Sequence, residues 1–183
     1  MAWQGRASAE WNPMSRTLSP IILAGLLAVA GSASAAPAPH VSITSFAQLA
    51  TPLPRPYDEV ANADVAVAKA KARARAEHKL LLIDLGGNWC GDCLVLAGTM
   101  ALPEVKAFVD AHYVVVTVDV GRFDKNLQIP AHYGIHSRLE GVPSLLIVDP
   151  VHDRLLDAGH VSALSDARHM DPQSLADWLA KWT

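Results

Sequence analysis

The run Leu80-Leu81-Leu82-Ile83-Asp84-Leu85 is too short and too apolar for anything but a buried strand, and Gly86-Gly87-Asn88 turns the chain out of it into Trp89-Cys90-Gly91-Asp92-Cys93. These are the only two cysteines in 183 residues. A bridge between them closes so small a ring that it constrains the unfolded chain by only roughly 2 kcal/mol, and strain offsets even that. The pair is therefore chemistry rather than scaffolding. A strand followed by Cys-x-x-Cys at the opening of a helix sets unpaired backbone N–H groups beside a sulfur, which stabilises the thiolate that attacks disulfides or binds metal. Thiol-disulfide exchange is the leading reading. An inert bridge competes with it, as does a metal site, for which two thiols supply few ligands.

Upstream, Ile21 to Ala30 is a short apolar core that ends in Ala33-Ser34-Ala35, with Arg16 as its positive flank. That is the pattern of a signal peptide over residues 1–35, cleaved before Ala36, with Met14 as a possible start. About ten apolar residues fall short of the roughly 20 that a spanning helix needs. The mature chain is then expected in the periplasm, an oxidising compartment where paired thiols are usually structural. Here no structural set is left over. Lys and Arg total 15 against 18 Asp and Glu, with no aromatic-basic clustering, so nothing points to nucleic acid. A single domain acting as a monomer is expected.

Residues 36–56 are rich in proline (Pro37, Pro39, Pro52, Pro54, Pro56) and lack a sustained period, so they read as an extended lead-in of low order. The domain is expected over 57–183. Asp64 to Glu77 is dominated by helix formers behind Asn62 or Asp64 as N-cap, and its alternating Lys and Arg side chains read as a solvated surface. Helix is expected again from about Cys90 to Met100 and after Pro103, where Val105, Phe108 and Val109 share a face. Tyr113 to Asp119 and Val142 to Asp149 are further strands, nearly continuous in apolar residues as strands covered on both faces are. A loop with a short helix fills 120–141, and an antiparallel strand over Arg154 to Ala158 follows the turn at Pro150. The last helix starts at Asp171-Pro172, with Leu175, Trp178, Leu179 and Trp182 as its apolar stripe. The order implies a layered α/β domain with a mixed sheet.

The segment Asp84 to Cys93, with Gly141-Val142-Pro143-Ser144 downstream, resembles the thioredoxin superfamily, and Asn88-Trp89-Cys90 with Pro103-Glu104-Val105 is similar to its exported members. The resemblance implies a three-layer fold with a central mixed sheet flanked by helices, and a thiol-disulfide oxidoreductase that needs no cofactor. Cys90 is the expected nucleophile at the helix N-terminus and Cys93, one turn inward, the resolving thiol. Asp84, a carboxylate inside an apolar strand, is costly without a task. It stands where the family carries the acid that shuttles the resolving cysteine's proton, and burial raises its pKa toward that use. A strand-end carboxylate that merely meets water or a cap is the plainer alternative. Pro143 is the expected cis-proline, with the Val142 backbone pairing with an extended substrate, against a trans proline that only starts a strand edge. Trp89 is expected to divide between packing and substrate platform.

Gly91 and Asp92 are expected to tune the couple, with Asp92 as a departure from the proline or histidine common there. An anion beside the thiols opposes thiolate formation and makes the couple more reducing. A reductase of exported, disulfide-bearing proteins is preferred on that ground, drawing electrons from a membrane donor. An oxidase or isomerase on the same residues is the alternative, and a non-enzymatic binding module or metallochaperone is the reading from another class. His132 and His136 are four apart, but Gly134 between them weakens a helix that would present both to a metal, so they read as surface histidines.

Overall fold

Strands this apolar must be covered on both faces, and the chain does so by placing helices on each side of one sheet. The computed structural model describes residues 36–183; the expected signal peptide and start site fall outside the described residues. The elements are α1 (Ala63–Glu77), β1 (Leu80–Gly86), α2 (Gly91–Met100), α3 (Pro103–His112), β2 (Tyr113–Asp119), α4 (Gln128–His132), β3 (Ser144–Asp149), β4 (Arg154–Leu155) and α5 (Pro172–Ala180).

The sheet order is β2-β1-β3-β4. Strand β1 runs parallel to β2, with Asp84 opposite Thr117, and antiparallel to β3, with Asp84 opposite Leu145. Side chains alternate across it. Leu81, Ile83, Leu85, Leu146 and Val148 pack toward α1 and α4, whereas Leu82, Leu145 and Ile147 pack toward α2, α3 and α5. This is the three-layer α/β architecture with a central mixed sheet. Caps fix its helices: the Asn62 side chain accepts from the Val65 N–H and the Asp171 side chain from the Ser174 N–H, each at 3.0 Å. Pro130 sits in the first turn of α4, where its missing N–H would have no helical partner anyway.

Four expectations need correction. The lead-in is not of low order. Residues 36–56 form a strap across the α2, α3 and α5 face, burying Val41 and Leu49 in the core there. Its prolines deny it a ladder of its own. Its polar groups instead bond to the domain: Val41 N–H donates to Gln173 Oε1 at 2.9 Å, Gln173 Nε2 donates to the Pro39 carbonyl at 3.0 Å, and Thr117 Oγ1 donates to the Pro56 carbonyl at 2.8 Å.

Strand β4 is shorter than expected because a side chain replaces its backbone. Leu156 N–H still donates to the Ile147 carbonyl at 2.7 Å, but the Ile147 N–H is taken by Asp157 Oδ1 at 3.0 Å. The α1 cations are not uniformly solvated: Lys71 pairs with Asp153 at 2.5 Å and Arg75 donates to the Pro150 carbonyl, tying α1 to the β3–β4 turn. Trp182 lies beyond α5 and meets Trp178 edge-on at 5.6 Å, so Leu175 and Leu179 alone form the fully buried part of the stripe.

Candidate active site

Cys90 stands at the junction of β1 and α2 as the N-cap of the helix, with its Sγ accepting from the Cys93 N–H at 3.2 Å. As a thiol it donates to the Val142 carbonyl at 3.2 Å. Its pKa is lowered to about 7: a hydrogen bond from the Cys93 side chain contributes most and the Cys93 N–H adds to it, against the opposing effects of burial and Asp92. Cys93 behaves oppositely, its pKa pushed far up by its hydrogen bond to Cys90 and by burial. Exposure separates them as well. Cys90 keeps 6 % of its surface and Cys93 none, so an incoming disulfide can reach only the first. Both are free thiols in this structure.

Asp84 is 2 % exposed, and burial lifts its pKa to about 7 in spite of a hydrogen bond that favours the carboxylate. The donor of that bond is Tyr57, whose hydroxyl reaches Asp84 Oδ1 at 2.9 Å. Tyr57 is in turn gripped by Asn88, whose Oδ1 accepts from the Tyr57 N–H at 3.3 Å while its Nδ2 donates to the Tyr57 carbonyl at 2.7 Å. Gly86 makes room for this cluster. A methyl group there would stand 2.5 Å from Tyr57 Oη and 2.9 Å from Cys93 Sγ.

Asp92 is not the bare anion expected beside the thiols. It is 7 % exposed and meets Arg168, whose guanidinium lies 3.1 Å away and whose backbone N–H donates to Oδ1 at 2.9 Å. The carboxylate still pushes the Cys90 pKa up, but it carries its own counter-charge. Gly91 allows this, since a side chain there would press on the Arg168 guanidinium at 3.2 Å.

Trp89 is 40 % exposed; its indole N–H donates to the Gly121 carbonyl at 2.7 Å, its ring meets Phe123 edge-on, and Arg122 stacks over it at 4.2 Å. The Val142–Pro143 bond is cis, immediately before β3. Cys90, Cys93, Asp84, Val142 and Pro143 thus converge at one end of the sheet, with Gly91 and Asp92 in the first turn of α2 and Trp89 on the rim. The two histidines weighed for metal do not share a helical face: α4 ends at His132, which pairs with Asp153 at 2.9 Å, and Gly134 has φ +86.

Sequence reasoning missed Tyr57, Asn88 and Arg168. The first had one signal, because a buried Asp84 requires a donor, but nothing in the chain said which element would supply it. Arg168 lies 76 positions from Asp92 on a single turn of 3₁₀ helix and gave no signal at all.

The model of a thioredoxin-like family matches residues 61–150. Among solved structures, a disulphide isomerase from Xylella fastidiosa Temecula1 is 35% identical, with 70% of this chain and 97% of that chain covered at a TM-score of 0.64. A DsbH oxidoreductase is 19% identical, with 62% and 94% covered at a TM-score of 0.37. No curated protein sequence matches the chain.

Proposed function

Because the chain belongs to the thioredoxin superfamily, we propose that it is a thiol-disulfide oxidoreductase whose Cys90 attacks a client disulfide and whose Cys93 resolves the mixed disulfide. One observation carries this reading: of two thiols three residues apart, Cys90 caps the helix, accepts from the Cys93 N–H and keeps an edge of exposed surface with its pKa lowered, whereas Cys93 is sealed and its pKa raised. A nucleophile with its pKa near ambient pH combines a useful thiolate fraction with high intrinsic reactivity. Asp84 takes the proton of Cys93, and the Val142 carbonyl, beside cis-Pro143, offers the acceptor against which an extended client segment pairs.

Reduction is the favoured direction. A thiolate stabilised only to about pKa 7 leaves the dithiol without the stabilisation that makes strong oxidants, whose nucleophiles lie near 3.5. The likeness to a disulphide isomerase supports isomerisation as the second reading, in which the client leaves Cys90 before Cys93 acts. In this reading the protein works in the periplasm, reached by the expected leader over residues 1–35, with exported proteins as clients and a membrane partner as electron donor.

A Cys93→Ser variant expressed in the source organism tests the chemistry. It should retain clients as mixed disulfides through Cys90, whereas a binding module or metallochaperone retains none. Equilibration of the wild-type couple with glutathione then gives the direction: a potential near roughly −270 mV supports reductase and one near roughly −120 mV rejects it.

A further inference from the structure

The fate of the Cys93 proton is where the structure goes beyond the paired thiols, and the inference rests on the exchange reading above. Cys93 must lose a proton to attack the mixed disulfide, yet it is fully buried and packed under Gly86. In the free dithiol its S–H donates to the Cys90 sulfur. Once Cys90 is bonded to a client, that sulfur carries no charge to attract the proton. The group still at hand is Tyr57 Oη, which crowds the same point above Gly86 as Cys93 Sγ does and donates to Asp84 on its other side. A hydroxyl can accept and donate at once.

We propose that Tyr57 is a proton relay between Cys93 and Asp84, and that the groove beneath the residue 36–56 strap is the exit through which Asp84 returns the proton to water. The step balances as follows. The Cys93 S–H proton passes to Tyr57 Oη while the phenol's own proton passes to Asp84 Oδ1, leaving Tyr57 neutral, Asp84 a carboxylic acid and Cys93 a thiolate. Cys93 then bonds to Cys90 Sγ, the Cys90–client bond breaks, and the client sulfur leaves as a thiolate. The client disulfide has gained two electrons and the enzyme's dithiol has lost them. No free phenolate forms, which burial beside Asp84 would oppose strongly.

The groove is a separate observation. A cavity of about 280 Å³, mostly apolar, opens between α2, α3 and the strap, with Asp84 in its lining beside Pro54, Pro56, Thr117 and Met100. Besides Asp84, the charged groups of its lining among the described residues are Lys106 and Asp110, which are ion-paired to each other. The titratable groups acting on Asp84 are thus Tyr57, Cys93 and Cys90 on the active-site side, with this compensated pair on the other. The carboxyl joins the two sides.

Reduced full-length protein mixed with the chromogenic reagent dithiobis(nitrobenzoate) should release thiolate in two phases, Cys90 capture followed by Cys93 resolution. Tyr57→Phe is expected to leave the first phase within about threefold and to slow the second at pH 7 by about tenfold or more. The second phase of the wild type should level off as Asp84 ionises near pH 7, while that of the variant keeps climbing with hydroxide. In mixtures of light and heavy water the wild-type second phase should follow a curved dependence on deuterium fraction, because two protons move together. A second phase that is unchanged by Tyr57→Phe overturns the relay. A straight isotope dependence in the wild type also overturns it, and decides the matter if the variant loses its first phase through misfolding. Absence of the first phase in the wild type instead overturns the exchange reading, and the relay with it.

Discussion

Replacing Asp84 with asparagine should stabilise the protein, and by an amount that depends on pH in a defined sense. The carboxyl has a pKa raised from 3.8 to about 7 by burial within the sheet, whereas in the unfolded chain it returns to its ordinary value. Folding therefore favours the protonated form. The stability associated with this group is fully present below about pH 4 and is lost as pH rises through 7. At 1.36 kcal/mol per pK unit the loss reaches roughly 4 kcal/mol at pH 8 to 9. Asparagine keeps an oxygen to accept from Tyr57 and has no charge to desolvate. The Asn variant should match the wild type at pH 4 and exceed it by up to about 4 kcal/mol at pH 8.5. For a domain of this size, that is a rise in Tm of about 8–16 °C. Urea denaturation of both proteins across this range, with the thiols kept reduced, measures the difference directly. Curves that stay parallel between pH 4 and 9 would refute the claim that burial raises the Asp84 pKa. The gain in stability should be accompanied by a loss of the resolution step of about 100-fold at pH 7, since the variant has no base.

Asp157 obeys the same logic without a catalytic task. Its Oδ2 is buried with no partner among the described residues and its pKa is raised to about 6, so Asp157→Asn should add about 1–3 kcal/mol above pH 6.5, with the gain vanishing toward pH 4 in the same titration. Arg168→Gln removes the counter-charge of Asp92 and should raise the Cys90 pKa, slowing its alkylation at pH 7 by about 3–10-fold and lowering the couple's potential by about 10–30 mV; an unchanged alkylation profile contradicts this. Leu49→Ala tests the strap. Leu49 is 5 % exposed and lies over Gly98 of α2, so the change should cost about 2–4 kcal/mol in urea denaturation, whereas a loosely attached lead-in would register almost nothing.

The local signals of the sequence sufficed for the elements whose physics is local. The Asn62 and Asp171 caps, Pro103 at the start of α3 and the apolar runs of β1 and β2 each follow from a few neighbouring residues, and the structure has them there. The strap did not follow. Its apolar anchors Val41, Leu49 and Leu53 have no helical or strand period, because an extended chain laid over three helices takes its pattern from the helices' surface. The site divides along the same line. Cys90, Cys93 and Asp84 are legible because a strand, a turn and a helix N-terminus bring them together within ten residues of chain. Tyr57 and Arg168 reach the thiols from 27 positions before Asp84 and 76 after Asp92, and no local pattern encodes such partners.

Those two distant residues alter the chemistry in opposite senses. Asp92 alone would oppose ionisation of Cys90, and the sequence-based case for a reducing couple rested on that repulsion. With Arg168 at 3.1 Å the repulsion is partly cancelled, so the Cys90 pKa near 7 arises mainly from its contacts with Cys93. Tyr57 acts at the other thiol. Its bond favours ionised Asp84, and so sustains a base beside a cysteine that burial would otherwise keep inert. The first thiol is thereby left only moderately acidic, and the second is supplied with an acceptor for its proton. On the proposed exchange that pairing predicts rapid resolution, which would separate a reductase, which must release its client reduced, from an isomerase, which gains by leaving the mixed disulfide open longer. The lifetime of the mixed disulfide in the wild type, compared with that in Tyr57→Phe, therefore bears on direction as well as on proton transfer. A long-lived adduct in the wild type would move the assignment toward isomerisation.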